Sequence, residues 1–504
     1  MKTPKFASVL ALALSIAAAR HAEAAVKLPA LFSDHAVLQR GMPIPVWGTA
    51  DPGEEVTVTL NGDPQKTKAG ADGKWKVSLP ATKAAESLTL TVKGTNTLTV
   101  NDVAVGEVWV NSGQSNMAFT LKGDINAEAA AAASTDPQLR FFTVGANASD
   151  TPLDTVGGRW VSASPGTSPL FSAVGYYFAR ELRKTLQVPV GMLSSSVGGT
   201  PAEAWTSHEA LTANPDLKDI FAAQASAIQL WPTAVANFQK NEARLLAAWQ
   251  ANVEKAKAAG NPPPRKPVAP EDPTKNKRRP SGLYNAMIAP LQPYGIRGAI
   301  WYQGEANSQR GKQYRTLFPT MIADWRKAWG EGDFPFFFVQ IAPHIGQTPE
   351  LREAQLLTSQ NVPHTAIAVI TDFGEPTNIH PKHKEPVGLR LSLAARALAY
   401  GEKIEYSGPT FDSLQVDGNK AALKFQHAAG LMAKDGDLKG FTIAGEDKNF
   451  VPAKAEIKGD IVTVSADSVT KPVAVRYGWA RVPDVNLYNG AGLPASPFRT
   501  DVEK

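Results

Sequence analysis

The feature that most constrains the fold of this 504-residue chain is a regular alternation of short apolar strands with amphipathic helices. Apolar segments such as GAIWY and PFFFV have the length of buried strands. Between them, Leu317, Met321 and Trp325 recur at the spacing of one helix face. Because each crossover between parallel strands places a helix on the sheet, this pattern predicts a parallel sheet covered on both faces. Residues 106–400 are therefore predicted to form an α/β domain.

The segments on either side of this domain have the pattern of β structure. Residues 25–105 contain short strands between Asp-Pro-Gly and Asn-Gly turns, which predicts an N-terminal β-sandwich module. Residues 401–504 return to strand pairs divided by Asp-Gly and Gly-Asn turns, which predicts a C-terminal β module. Within the α/β domain, residues 208–282 are first Ala-rich and then Pro-rich. No strand or helix interior tolerates so many prolines, so this segment is predicted to be a helical and Pro-rich insertion.

The first 24 residues have the order of features found in secretory signals. Lys2 and Lys5 precede an apolar run, and Ala22 and Ala24 supply small residues at the −3 and −1 positions of a cleavage site. Residues 1–24 are therefore predicted to be a signal peptide, and the mature protein to be periplasmic or secreted. No later stretch reaches the ~20 apolar residues of a membrane span, so no membrane partner is expected.

Composition excludes several classes of chemistry. The chain has no cysteine, which rules out disulfides, thiol nucleophiles and thiolate zinc sites and leaves serine as the more plausible nucleophile. The formal charge is +5, of which the signal contributes +2, so nucleic acid is not an expected partner. The histidines form neither HExxH nor another compact ligand pattern, and no metal or other cofactor is predicted. The sequence leaves the oligomeric state open.

Four predicted strands end in residues that suit one chemistry. The carboxyl ends of parallel strands meet at the same edge of a sheet, where ligands gather. An acyl-transfer site needs a nucleophile, a base that takes its proton, and donors for the oxyanion. The strand ends supply Ser115 after EVWVNS, Gly198 and Gly199 after VPVGML, the cluster QGEAN after GAIWY, and Asp372 with His380 after IAVIT.

The segment GEVWVNSGQSNM has methionine at 117, where the G-x-S-x-G elbow of α/β-hydrolases would have glycine. It resembles instead the SGNH hydrolase superfamily, and within it the sialate O-acetylesterase group and related carbohydrate acetylesterases. The other matching stretches are GGTPAEAW, RPSGLYNAMIAPL, WYQGEAN, the IHP segment followed by Lys384 and VGLRL, and LYNGAGLPASPFRTD. The resemblance spans nearly the whole mature chain and implies an SGNH-type parallel sheet flanked by helices, with the two β modules attached.

The resemblance implies that Ser115 is the nucleophile and His380 the general base. The acid is where this chain departs from the superfamily, because Asp-x-x-His would require an aspartate at 377 and the chain has Thr377. Asn378 cannot carry the charge of a carboxylate. The histidine is therefore expected to be oriented by Asp372, by a backbone carbonyl, or by no acid.

The resemblance also implies an oxyanion hole. The N–H of Ser115 is expected to contribute together with Gly199, or with its neighbour Gly198. Many enzymes of the superfamily use an asparagine as the third donor, and here the QGEAN segment offers Gln303 or Asn307. Gln303, immediately after the strand, is the favoured candidate.

Aromatic residues near the motif segments indicate the type of substrate. The leaving alcohol must lie over the strand ends, to which Trp205, Tyr284 and Trp301 belong or which they adjoin. Aromatic faces suit sugar rings because they bury C–H surface while the hydroxyls stay solvated. These residues, together with Glu305 and Asn307, are predicted to bind an O-acetylated carbohydrate.

Within carbohydrates, the resemblance favours O-acetylated sialic acid. A sialate carboxylate would require an arginine, for which the sequence offers Arg278, Arg279 and Arg310. Acetylated plant polysaccharides such as xyloglucan or xylan need no such arginine and are the alternative. Two other classes of function remain alternatives: a glycosidase that uses Glu305 and Asp372 as paired carboxylates, and a noncatalytic carbohydrate-binding protein.

Overall fold

The computed structural model describes residues 25–501, so the predicted signal peptide lies outside the described residues. It has a mixed α/β architecture, with a central sheet of mainly parallel strands and further β-sheets before and after it in the chain. None of the helices in residues 25–501 combines the length and the apolar character needed to cross a bilayer.

The strand pairs of the N-terminal segment are antiparallel, except for one parallel pair between Val37–Gln39 and Thr97–Gly113. Strand β2 pairs with β5, β3 pairs with β4 and β6, and both β1 and β6 pair with β7. The strands are β1 Val37–Gln39, β2 Ile44–Thr49, β3 Glu55–Leu60, β4 Asp63–Lys68, β5 Lys74–Leu79, β6 Ala85–Lys93 and β7 Thr97–Gly113.

Strand β7 is 17 residues long and crosses the predicted module boundary at residues 105 and 106. Its first part, up to Val105, pairs antiparallel with β6 of the N-terminal segment. From Glu107 onward it pairs in parallel with a strand of the central sheet. One continuous backbone strand therefore belongs to both sheets.

A fully buried carboxylate reinforces this junction. Glu107 accepts hydrogen bonds from Arg40 at 2.6 Å and from Arg297 at 3.1 Å. It also accepts from the hydroxyl of Tyr400 at 3.0 Å. Because a buried charge is stable only when it is paired and hydrogen-bonded, Glu107 holds the N-terminal segment, the central sheet and the end of the α/β region together.

The central sheet has the strand order β13-β12-β11-β7-β10-β8-β9. All neighbours are parallel except β8 and β9. The additional strands are β8 Asp136–Thr143, β9 Trp160–Ala163, β10 Val190–Ser196, β11 Gly298–Tyr302, β12 Phe336–Val339 and β13 Thr365–Ala368.

Helices cover both faces of this sheet, as the sequence predicts. Val108 and Val110 lie in the same core cluster as Leu317 and Trp325 of α6. Trp109, on the opposite face of the strand, lies in the cluster formed with α3 and α8. The helices are α1 Ser115–Ala118, α2 Ala127–Ala132, α3 Ala173–Leu186, α4 His208–Ala213, α5 Asp219–Ala258, α6 Gly311–Trp329, α7 Pro349–Asn361 and α8 Glu385–Ala394.

The predicted insertion contains two α-helices, the short α4 and the 40-residue α5, followed by a Pro-rich segment without helix or strand. The Pro-rich segment runs back along α5. The indole N–H of Trp231 donates to the carbonyl of Pro270 at 3.0 Å, and that of Trp249 donates to the carbonyl of Pro264 at 2.8 Å. These bonds tie the two parts of the insertion together.

The C-terminal segment forms further antiparallel sheets, with the strand orders β14-β15-β20-β19, β18-β17-β21-β23 and β16-β22. Arg352 of α7 donates at 2.7 Å to the carbonyl of Ala480, which joins this segment to the central domain. The strands are β14 Thr410–Asp417, β15 Lys420–Gln426, β16 Met432–Ala433, β17 Phe441–Ala444, β18 Val451–Pro452, β19 Lys454–Lys458, β20 Ile461–Ser465, β21 Ala474–Tyr477, β22 Leu487–Tyr488 and β23 Phe498–Arg499.

Candidate active site

The chain turns sharply at the end of β7, at Gly113. This residue has φ +136°, and a Cβ there would lie 2.2 Å from the carbonyl oxygen of Tyr302 at the end of β11. Only glycine combines this conformation with such close backbone contact. The turn places Ser115 at the first position of α1, beyond the carboxyl edge of the sheet.

The structure brings Ser115 together with His380, which lies in the loop between β13 and α8. The Ser115 Oγ and His380 Nε2 atoms are 2.8 Å apart. For Nε2 to accept the serine proton, the imidazole must carry its own proton on Nδ1. Asn378 fixes the backbone of this loop, because its Oδ1 accepts from the His380 N–H at 3.0 Å and its Nδ2 donates to the His380 carbonyl at 3.0 Å.

The diglycine after β10 lies against the serine. A Cβ on Gly198 would be 3.4 Å from the Cβ of Ser115, and Gly199 has φ +71° with open space around it. Within residues 25–501, the N–H groups of Ser115, Gly198 and Gly199 donate to no other protein atom. These N–H groups are therefore free to receive an oxyanion.

The predicted third donor, Gln303, does not have a free N–H group. Its Nε2 donates to the carbonyl of Thr200 at 3.2 Å and to Asn307 Oδ1 at 2.7 Å, while its Oε1 accepts from Tyr314 at 2.9 Å. The residue is completely buried. Its amide holds the loop after β10 against the loop after β11, which is a structural role.

Asn307 is also buried and engaged. Its Oδ1 accepts from the N–H of Ala202 at 2.9 Å, and its Nδ2 donates to Glu203 at 2.9 Å. Glu203 in turn accepts from Arg310 at 2.6 Å. The geometry thus places Asn307 in a network beside the site, where it supports the loops instead of contacting a substrate.

Asp372 does not lie against His380. Its two carboxylate oxygens accept from Arg390 of α8 at 2.7 and 2.6 Å, a bidentate ion pair. This geometry corrects the expectation that Asp372 orients the imidazole, since the carboxylate is already used to attach the loop to α8. Among the described residues, no carboxylate lies within ion-pair distance of the His380 ring.

The charges around His380 favour its neutral form. Burial lowers the pKa of His380, and electrostatic repulsion from Lys384 and from the nearby His344 lowers it further. A neutral imidazole is the form that accepts a proton from serine. The environment of the ring therefore suits a base without a carboxylate partner.

The aromatic residues predicted to bind sugar lie in the hydrophobic core. Trp205 and Trp301 are fully buried and pack edge to face, with ring centroids 6.0 Å apart. Tyr284 is only 7% exposed, and burial raises the pKa of its hydroxyl to about 12. The structure corrects the prediction for these residues: their apolar character fills the core beneath the strand ends.

Three residues around Ser115 and His380 have roles that the sequence does not predict. Asn116 follows the serine and is fully buried; its Nδ2 donates to Glu305 at 2.5 Å. Lys384, also buried, donates to Asn116 Oδ1 at 2.5 Å. Glu305 is predicted from the sequence to contact substrate. In the structure, its carboxylate accepts a hydrogen bond from Asn116 in this buried network. The signal that could have found Lys384 is a lysine four residues after His380, immediately before an apolar helix.

Comparison with known proteins agrees with this geometry. A family described as carbohydrate esterase, sialic acid-specific acetylesterase, matches residues 274–399. A crystal structure of a carbohydrate acetylesterase from Xanthomonas citri is 39% identical, covers 95% of this chain and 100% of its own, and superposes with a TM-score of 0.81. The fold and the site thus define a carboxylic ester hydrolase of the carbohydrate esterase class.

Full-length relatives define the family more closely. The sialate O-acetylesterase of Rattus norvegicus is 30% identical over 99% of this chain and 98% of its own length. That of Mus musculus is 31% identical over 90% of each chain. The chain belongs to the sialate O-acetylesterase family. This assignment overturns the two alternative classes, the glycosidase and the noncatalytic binding protein.

Proposed function

We propose that the protein removes acetyl groups from O-acetylated sugars through an acetyl-serine intermediate on Ser115. The observation that carries this proposal is the 2.8 Å contact between Ser115 Oγ and His380 Nε2 at the carboxyl edge of the sheet. The order of the site along the chain, serine first, then glycine, then histidine, supports an SGNH-type catalytic domain.

The mechanism follows from the roles of these groups. Ser115 Oγ attacks the acetyl carbonyl carbon while His380 Nε2 takes the hydroxyl proton. The N–H groups of Ser115 and of Gly198 or Gly199 stabilise the oxyanion. The bond to the sugar oxygen then breaks, and the departing alcohol takes the proton from Nε2. Water repeats the sequence on acetyl-serine, which releases acetate and restores both side chains.

For the sugar itself, O-acetylated sialic acid is the first candidate, because the full-length relatives are sialate O-acetylesterases. Two of the three candidate arginines already have carboxylate partners: Arg310 pairs with Glu203 at 2.6 Å and Arg279 with Asp150 at 2.8 Å. This favours a second candidate that needs no arginine, an acetylated plant oligosaccharide such as xyloglucan or xylan. Deacetylation rates on both substrates, measured side by side, decide between them.

The mechanism is tested by Ser115→Ala and His380→Ala, which should each reduce acetate release by at least ~10³-fold while the protein stays folded. His427→Ala is a matched control, since His427 lies in the C-terminal segment and contacts Glu405 at 2.8 Å. It should leave activity unchanged. Retention of more than a few per cent of activity by Ser115→Ala would exclude the acetyl-serine intermediate.

We also propose that the protein acts in the periplasm or outside the cell. The order of basic, apolar and small residues in positions 1–24 supports export. Cell fractionation with N-terminal sequencing of the mature chain tests this, and an intact Met1 on the active enzyme would contradict it.

A further inference from the structure

A single amide connects the two reacting residues through their neighbours. Asn116 directly follows Ser115, and Ile379 directly precedes His380. The Asn116 Nδ2 donates to the carbonyl oxygen of Ile379 at 3.0 Å. This bond ties the start of α1 to the histidine loop next to the point where the serine and the imidazole must meet.

The orientation of that amide is fixed from both sides. Lys384 Nζ donates to Asn116 Oδ1 at 2.5 Å, and Glu305 Oε1 accepts from Asn116 Nδ2 at 2.5 Å. A flipped amide would place a donor against the ammonium and an acceptor against the carboxylate. The ammonium also lies over the rings of Phe119 and Tyr302, 5.0 and 5.3 Å from their centroids.

We propose that Lys384, Asn116 and Glu305 form a buried positioning network that supplies the orienting role of the acid in a serine–histidine–acid triad, without the negative charge that stabilises the imidazolium. The network holds His380 through the backbone of Ile379, and Lys384 supplies a fixed positive charge beside the imidazole. This inference rests on the proposed roles of Ser115 and His380.

The arrangement is costly for stability alone, which argues for a role in catalysis. Burial lowers the pKa of Lys384 to about 8 and raises the pKa of Glu305, so both charged forms are disfavoured. Glu305 Oε2 and the hydroxyl of Tyr302 are buried without a hydrogen-bond partner within residues 25–501. Well-packed apolar residues in place of such buried charged groups would generally be as stable or more so.

The charge of Lys384 has a predictable effect on the base. Two groups act directly on the His380 ring, Lys384 before α8 and His344 after β12. The carboxylates of Glu305, Asp124 and Glu375 face Lys384 and favour its charged form. The nearby cations make protonation of the imidazole harder, so the active neutral form persists to lower pH. Lys384 loses its own proton only near pH 8, where the imidazole is already neutral.

The pH dependence of kcat/KM for an acetylated sugar tests this effect. Lys384→Met removes the charge and should move the acidic limb upward by about 0.5–1 pH unit. Lys384→Arg keeps the charge and should leave the limb near its original pH. Lys382→Met is a matched control, because Lys382 is an exposed lysine two residues away, and it should not move the limb.

The positioning role has a separate test. Asn116→Ala removes both the bond to Ile379 and those to Lys384 and Glu305, so kcat should fall at least ~10-fold with little change in KM. Labelling of Ser115 by a fluorophosphonate should slow to a similar degree. If Lys384→Met shows an unchanged acidic limb, or Asn116→Ala keeps its kcat, the inference is wrong. If Ser115→Ala remains active, the proposed mechanism fails instead, which distinguishes the two.

Discussion

Asp372→Asn separates a catalytic from a structural role for this carboxylate. In the structure, Asp372 forms a bidentate pair with Arg390 whose side chains are 15% and 10% exposed. The substitution keeps the shape of the side chain but leaves the guanidinium partly unpaired. Complete loss of a buried pair costs 3–5 kcal/mol and an exposed pair at most about 1 kcal/mol, so we expect about 2 kcal/mol of destabilisation.

The effect on activity should be small. If Asp372 oriented His380 as a triad aspartate does, its amide variant would lose ~10⁴-fold in kcat, or about 5 kcal/mol of transition-state stabilisation. Because Asp372 is instead held by Arg390, kcat/KM should stay within about 3-fold of the original value. The measurements are acetate release below the unfolding transition and the urea midpoint of each protein.

Asp154→Asn provides the matched control for stability. Asp154 pairs with Lys74 at 2.6 Å, but its side chain is 76% exposed, so its loss should change the free energy of unfolding by less than about 0.5 kcal/mol. A 100-fold or greater loss of kcat in folded Asp372→Asn would refute the assignment of a structural role and restore Asp372 to the catalytic machinery.

Three shorter predictions concern the oxyanion loop, the buried aromatics and metals. Gly199 and Gly260 have similar backbone angles, φ +71° and +68°, and open space around each. Gly199→Ala and Gly260→Ala should therefore each lower the free energy of unfolding by about 1 kcal/mol, but only Gly199→Ala should reduce activity. Trp301→Phe should lower stability by about 1–3 kcal/mol without changing KM, because Trp301 is core; a large increase in KM would place it at the substrate. EDTA should leave acetate release unchanged, since residues 25–501 contain no group of three or more metal-ligating side chains, and zinc-restored activity would contradict this.

Much of the fold follows from periodicity. The apolar spacing of Leu317, Met321 and Trp325 predicts helix α6, and the segment EVWVNS is predicted to be a strand that ends before Ser115; both elements are present. The continuity of β7 through residues 105 and 106 was not predicted. Sequence patterns show where the surroundings of a strand change. They do not show which strands pair with it on each side, because those partners lie far away in the chain.

For the candidate site, the sequence likewise predicts the positions of residues but not all of their contacts. The carboxyl ends of parallel strands meet at one edge of the sheet, so the topology alone predicts that Ser115, Gly199 and Gln303 lie in neighbouring loops. It does not say which polar groups are already satisfied by the protein itself. Gln303 donates to Thr200 and Asn307, and only the three-dimensional contacts reveal that its amide has no N–H left for a substrate.

The shared strand β7 limits how this enzyme can be divided or recombined. A cut at the apparent boundary after Val105 would split a 17-residue strand and separate Glu107 from Arg40. The N-terminal segment therefore cannot be exchanged as an independent unit, and gene fusions that replace residues 25–105 would remove hydrogen-bonding partners from the strand that leads to Ser115. Library designs and shortened expression forms should preserve this segment intact and place their junctions elsewhere, such as in the Pro-rich part of the insertion.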